Sequence, residues 1–331
     1  MNGTRMFEGR ISLRRAVATG VALAAFGLAG SALAQDDFPT KKIEIVSHAA
    51  PGGGTDITAR MWMDAATAEL GQDFVIVYKQ GGGARSAHEY AMSKEADGYT
   101  VVAFTPTHLY SIARGNSPAS IDDFTGLARA MQDPSLIVVR ADSEIESYDQ
   151  MIEASKERAL NWGVAQVGGT EHIGIARWAD AAGVEFRVVP FGSGGEMITA
   201  LRSGAIDATL ANVSEALSQI QNGELRAIAV LADEKVEDLP DVPTAAENGH
   251  DVSVYTTRGY MVKAGTPPER VQKLSDALVK AMQSDRFKEY LTDSGLDPDD
   301  SVAGSEEWDA QLKEMYAEEK AVIDRLGLAN Q

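Results

Sequence analysis

Residues 43–56 read Ile43-Glu44-Ile45-Val46-Ser47-His48-Ala49-Ala50-Pro51-Gly52-Gly53-Gly54-Thr55-Asp56, and they decide the architecture. A short apolar strand, Ile43-Glu44-Ile45-Val46, runs into the glycine loop Pro51-Gly52-Gly53-Gly54-Thr55-Asp56. Apolar residues then recur at helical spacing over 57–70 and stop at Gly71. A strand, a glycine loop and a helix start together make a place to hold an anion. Glycines let a ligand approach the backbone closely. The first helical amides have no intrahelical acceptor, and the helix dipole favours negative charge beside them.

The same unit repeats outward from this stretch. Phe74-Val75-Ile76-Val77-Tyr78 is a second strand, Gly81-Gly82-Gly83 a second glycine loop, and 85–94 a second helix. Tyr99-Thr100-Val101-Val102-Ala103-Phe104 is a third strand, ending in the turn Thr105-Pro106-Thr107-His108. This βαβαβ order predicts a mostly parallel sheet with helices on its faces, and ligands in such sheets lie beyond the carboxyl ends of the strands. After Leu136-Ile137-Val138-Val139, a strand and candidate crossover, the pattern resumes. A helix over 146–158 and the strand 160–165 lead into Gly168-Gly169-Thr170-Glu171-His172 and a helix that stops at Gly183. A strand at 186–189 precedes Pro190-Phe191-Gly192-Ser193-Gly194-Gly195, and strands at 206–210 and 225–230 complete a second sheet. Extended segments at 252–255 and 259–262 offer a return crossover, and helices from Pro267-Pro268, at 287–291 and at 307–326 close the chain. Met282, Trp308 and Met315 read as core. The expectation is an α/β chain of two lobes, each a mostly parallel sheet flanked by helices and joined by two crossovers. Lobe 1 comprises 35–136 plus 254–331, and lobe 2 comprises 137–253.

The N-terminus carries Arg5, Arg10, Arg14 and Arg15 against Glu8, then an uncharged stretch over 16–33 and the small-x-small site Ala32-Leu33-Ala34. This reads as a secretory signal peptide over 1–34, cleaved after about Ala34, and places the protein in the periplasm. Ser12-Leu13-Arg14-Arg15-Ala16-Val17 is a poor twin-arginine match, so general secretion is the plainer route, with the choice left open. The chain has no cysteine, which excludes a lipid anchor at the cleavage site and any disulfide, so packing holds the fold.

The formal net charge of −19 argues against nucleic acid or an anionic membrane as partner. The puzzle is an anion site in an acidic, exported chain. Candidate ligand contacts are Gly52, Gly53, Gly54, Thr55 and Asp56 on the first loop and Gly168, Gly169 and Thr170 on the corresponding second-lobe loop. Thr105, Thr107, His108, Ser193, Asn212 and Arg258 join them from other strand ends and the return crossover. Asp56 is more simply a helix-start acid, and His108 and His172 are more simply core or helix-start histidines. Arg258 is ordinary if it faces solvent; if it faces the cleft it can pair with a second carboxylate.

In these motifs the chain resembles the periplasmic solute receptors of tripartite tricarboxylate transporters, the Bug proteins. The resemblance rests on Phe38-Pro39, Pro51-Gly52-Gly53-Gly54-Thr55-Asp56 with Ala59-Arg60, Gly81-Gly82-Gly83-Ala84 and Ala96-Asp97-Gly98-Tyr99-Thr100. It continues through Gly169-Thr170-x-His172, Val189-Pro190-Phe191-x-Ser193, Ser203-Gly204-Ala205-Ile206-Asp207 and Leu239-Pro240-Asp241-Val242-Pro243-Thr244. It implies a monomeric two-lobed receptor without cofactor that closes on a small carboxylate, with large and small membrane permease subunits as partners. The ligand carboxylate would lie between the first-lobe glycine loop and its second-lobe counterpart. Family members commonly carry a tryptophan where this chain has Tyr255-Thr256-Thr257-Arg258-Gly259, and Ser47-His48 and Glu171 are also departures.

Enzyme readings are weaker. Residues 51–56 lack the Lys-Ser/Thr of a P-loop, 191–195 is not a nucleophile elbow, and no histidine pair has zinc-ligand spacing. A hydrolase using Ser193 and His172, or a sensor presenting ligand to a membrane histidine kinase, stands as the alternative.

Overall fold

The computed structural model describes residues 1, 37–325 and 327–329. The signal-peptide expectation lies outside the described residues, apart from Met1. No helix among them is long and apolar enough to cross a membrane. Chain order is β1 (Ile43–Ser47), α1 (Gly54–Leu70), β2 (Phe74–Tyr78), α2 (Arg85–Met92), β3 (Thr100–Phe104), α3 (Thr107–Ala113) and β4 (Phe124–Arg140). Then come α4 (Tyr148–Glu157), β5 (Leu160–Val164), α5 (Thr170–Ala182), β6 (Phe186–Pro190), α6 (Gly194–Arg202), β7 (Ala208–Asn212), α7 (Val213–Gln221) and β8 (Leu225–Leu231). Strand β9 (Tyr255–Lys263) and helices α8 (Pro268–Met282), α9 (Asp285–Asp293), α10 (Pro298–Ser301) and α11 (Ser305–Arg325) complete the fold.

The strands form one nine-stranded sheet in the order β2-β1-β3-β9-β4-β7-β5-β6, with β8 also paired to β4. The outer strands β1, β2 and β3 are mutually parallel, as are β5, β6 and β7. Strands β4 and β9 run antiparallel to their neighbours and to each other. Strand β4 pairs with β9 over 124–134 and with β7 and β8 over 135–140, so it changes partners at Pro134–Ser135.

Sequence reading finds only four residues near the end of this 17-residue strand, 136–139. Gly126, Asp133 and Pro134 are poor strand residues; a register shift follows Gly126 and another follows Arg129, while Asp133 and Pro134 stay in register with Thr256 and Tyr255. Of the two extended segments, 259–262 lies within β9, whereas 252–255 contributes only Tyr255, the first residue of that strand. Helices α3 and α7 are additions to the sequence reading; the Thr-Pro-Thr turn is in fact a helix start with Pro106 before its first residue.

Period-two alternation divides the core. On β4, Ile137 and Val139 face a cluster with Trp162 and Trp178, while Leu136 and Val138 face another with Leu201 and Leu217. In the other half, Val46, Val102, Phe104 and Met261 pack against Trp308 and Leu312 of α11. Two glycines make this docking possible. A Cβ on Gly259 would stand 2.7 Å from Trp308 Cζ2, and one on Gly126 would stand 2.9 Å from Trp308 Cδ1. Trp308 Nε1 then reaches the Tyr260 carbonyl at 3.0 Å, which satisfies its buried donor. Trp308 and Met282 are fully buried, as their spacing implies.

Candidate functional site

Helices α1 and α5 both begin without a side-chain cap, at Gly53 and Gly169. Their first-turn amides are therefore free of the usual Ser, Thr or Asp acceptor. The glycine turns just upstream are held by one recurrent device, an amide donating to the side chain four residues on. Gly52 donates to Asp56 Oδ2 at 2.9 Å, Gly168 to His172 Nδ1 at 2.8 Å, and Gly192 to Glu196 Oε2 at 2.7 Å.

Two of these side chains are thus engaged within their own loops. Asp56 is a buried brace that also binds Arg60 (3.1 Å) and the Tyr78 hydroxyl (2.7 Å). Burial pushes its carboxyl up, but these hydrogen bonds outweigh it and hold the pKa below the usual range. His172 likewise serves its own loop, and burial lowers its pKa.

Between these helix starts lies a cavity of about 60 Å³. Pockets for drug-sized ligands run to about 300–1,000 Å³, so the space enclosed here is small, about that of two water molecules. Its wall brings together Gly53, Gly54, Thr55, Thr105, Thr107, Thr170, Ser193, Asn212 and Arg258 from the sequence candidates. Gly52, Asp56, His108, Gly168 and Gly169 stand outside that wall. Gly169 nevertheless backs it closely, since a Cβ there would meet Thr107 Oγ1 at 3.3 Å. The Thr107 and Thr170 hydroxyl oxygens lie 3.4 Å apart across the two halves. Ser193 caps α6 by accepting from the Glu196 amide at 3.3 Å. A larger open groove near Arg140 and Asp207 is a solvated surface, where Arg140 pairs with Asp142 and Arg158 with Asp207.

Sequence reasoning misses Glu215, Gln166 and Thr256 in the wall and Asp133 behind it. Glu215 was hidden because α7 was; its place in the first turn of a helix after a strand end is the signal that identifies it. These residues alter the meaning of Arg258. Its guanidinium is buried, donating from Nη1 to Asp133 Oδ2 at 2.8 Å and from Nη2 to Glu215 Oε1 at 3.0 Å. Asp133 also accepts from the Ser214 hydroxyl and amide. The group facing the cleft is thus already ion-paired within the protein, rather than an open receiver for a second carboxylate. Burial pushes the Asp133 and Glu215 carboxyls up, against the pull of Arg258. Glu171, half-buried beside Thr170, is raised to about 7 chiefly by burial and further by Glu215.

Three histidines form a second polar feature at the cleft edge. Ser117 Oγ, His88, His108, His48 and Thr105 Oγ1 make one continuous hydrogen-bonded chain, with successive separations of 2.8, 2.8, 3.0 and 3.2 Å. Every imidazole nitrogen is used. Burial lowers His48 and His88 to about 4 and His108 well below its ordinary value. The chain is therefore neutral at pH 7, and His108 is a core residue that braces His48. No group of His, Asp or Glu suited to a metal ion occurs among the described residues.

Comparison with known proteins gives a consistent answer. The family model described as "Tripartite tricarboxylate transporter family receptor" matches residues 58–328. The chain is 29% identical to the UPF0065 protein in the gbd 5′ region of Cupriavidus necator, over 93% of this chain and 95% of that one. It is 25% identical to BugT of Bordetella pertussis, over 84% and 87%. Among solved structures it is similar to MatC from Rhodopseudomonas palustris with bound malate (TM-score 0.79, 25% identity, 86% and 100% covered). It is similar also to an R. palustris protein with adipate (TM-score 0.78, 26% identity, 88% and 98% covered).

Proposed function

The chain belongs to the tripartite tricarboxylate transporter receptor family, and from that premise we propose that it is a periplasmic solute receptor. It captures a small organic carboxylate between two lobes, 35–136 plus 254–331 and 137–253, and passes it to a membrane carrier with large and small permease subunits. It performs no catalysis. Malate and adipate in the related structures support a carboxylate as the ligand class.

The single observation that carries this reading is the pair of uncapped helix starts, α1 and α5, facing one cavity from opposite halves. A carboxylate placed there meets the amides of Gly54, Thr55 and Thr170, with the Thr55, Thr107 and Thr170 hydroxyls around it. Micromolar capture needs about 8 kcal/mol, and hydrogen bonds to a charged group contribute about 1.5–3 kcal/mol each. Four or five neutral donors suffice, and the acidic exterior does not enter the sum. Neutral donors also suit a receptor that must release its cargo. Closure of the lobes about the β4 and β9 crossovers excludes water and strengthens those bonds.

The test is a thermal-shift screen of residues 35–331 against mono-, di- and amino-carboxylates. A ligand at 100 times its dissociation constant adds about 2.7 kcal/mol of stability. Thr170→Phe should abolish that shift with the circular dichroism spectrum unchanged. Full ligand response in Thr170→Phe would refute the placement.

A further inference from the structure

The wall of the cleft opposite Thr107 is a charged knot, and its composition bears on which carboxylate fits. Arg258 of β9 sits diagonally across the β4–β9 pairing from Asp133, because Met131 is its register partner. Glu215 completes the knot from α7. Its carboxylate is wedged between the first residues of α1 and α6. A Cβ on Gly54 would stand 2.5 Å from Glu215 Oε1, and one on Gly194 would stand 3.0 Å from Glu215 Cδ. The protein's own carboxylate thus fills the space beside the first residues of α1 and α6, which a second ligand carboxylate would otherwise approach.

We propose that Glu215 and Glu171 make this cleft specific for a zwitterionic amino carboxylate and exclude a dicarboxylate. This deepens the carboxylate reading given above and rests on it. One guanidinium already serves two acids, and Arg258 is the only permanent cation among the described residues that line the cavity. A second ligand carboxylate would join Asp133, Glu215 and Glu171 with no cation left to meet it, whereas an ammonium group relieves the repulsion between Glu171 and Glu215. Gln166 adds to the preference, since its buried Oε1 accepts from no protein donor and a ligand N–H satisfies it.

The charge state of Glu171 supplies a sign. The charged groups facing it are Glu215 from α7 and Arg258 from β9; Tyr110 from α3, whose hydroxyl burial raises well above its ordinary value, and the nearby His48 are both neutral across the range that matters. An ammonium ligand binds the ionised form of a carboxyl that titrates near 7, so its affinity rises about tenfold from pH 6 to pH 8. A dicarboxylate placed at the same wall needs the protonated form, and its affinity falls over that range.

The experiment is isothermal titration of residues 35–331 with four matched ligands: pentanoate, glutarate, 2-aminopentanoate and 5-aminopentanoate. The expected result is that one of the amino acids binds at least tenfold more tightly than glutarate and tightens with pH. Glu215→Gln and, separately, Glu171→Gln should narrow or invert that ratio; the second also removes the pH dependence. Glutarate binding as tightly as either amino acid in the wild type overturns the inference while leaving the carboxylate reading standing. Unchanged selectivity in both folded variants overturns it as well. Absence of binding by all four, and by longer and shorter members of each series, removes both readings.

Discussion

Replacing Arg258 by methionine keeps most of the side-chain volume and removes the charge. Asp133, which has no exposed surface, would then keep only the Ser214 hydroxyl and amide. Breaking a buried pair from one side costs about 3–5 kcal/mol, because it strands the other charge. At about 2 °C per kcal/mol for a chain of this size, the melting temperature should fall by about 6–10 °C. Adding Asp133→Asn removes the stranded charge, so the double variant should recover at least half of the loss. The pH dependence has a definite sign. Without Arg258 the folded-state pKa of Asp133 lies further above its unfolded value, since burial already raises it. The unfolded state then gives up that proton more readily, and stability falls as pH rises. The deficit of Arg258→Met relative to wild type should therefore shrink as the pH drops toward 5. Urea denaturation of all three proteins at pH 5 and pH 8 measures this. A loss below about 1 kcal/mol, or a double variant no more stable than the single, would refute the assignment of Arg258 as counter-ion to a buried acid.

Two further changes probe the scaffold around the cleft. Gly259→Ala forces a methyl to within 2.7 Å of Trp308 and 2.9 Å of the Ala128 carbonyl, so it should cost about 1–3 kcal/mol by denaturant titration; a neutral effect would mean that α11 is not tightly seated. His88→Gln tests the neutral histidine chain: the folded value of His88, about 4, lies below its ordinary 6.5, so its contribution is complete above pH 6.5 and is lost as pH falls toward 4. Each such histidine steepens acid destabilisation by about 1.4 kcal/mol per pH unit, and His88→Gln should flatten the stability profile by that slope; parallel profiles would contradict a buried, neutral His88.

Most of the architecture was legible locally. The strands at 43–47, 74–78 and 160–164 and the helix starts at the glycine loops follow from periods of 2 and 3.6 and from capping chemistry, which neighbours in the chain settle among themselves. Where the reading fell short, distant partners had overridden local preference. Strand β4 tolerates Gly126 because Trp308 packs over it, and its charged Asp133 is tolerated because Arg258 and Ser214 meet it. Helix α3 begins after Pro106 in a stretch that looks like a turn, and its His108 is held by His48 and His88.

The candidate site divides in the same way. The glycine loops and the threonines beside them were legible as hydrogen-bond donors, since amides at a helix start and hydroxyls at strand ends need no remote help to offer hydrogen bonds. The state of Arg258 was beyond that reading. Its acids lie 125 and 43 residues away, and whether a cation awaits a ligand or is already paired depends on which side chains the crossovers bring within 3 Å. The sequence by itself determined the family, the alternating α/β plan and the glycine loops at the helix starts. Only the tertiary structure decided that the wall between them is acidic and internally paired, because charge at a buried site is a sum over residues that meet only in the folded chain.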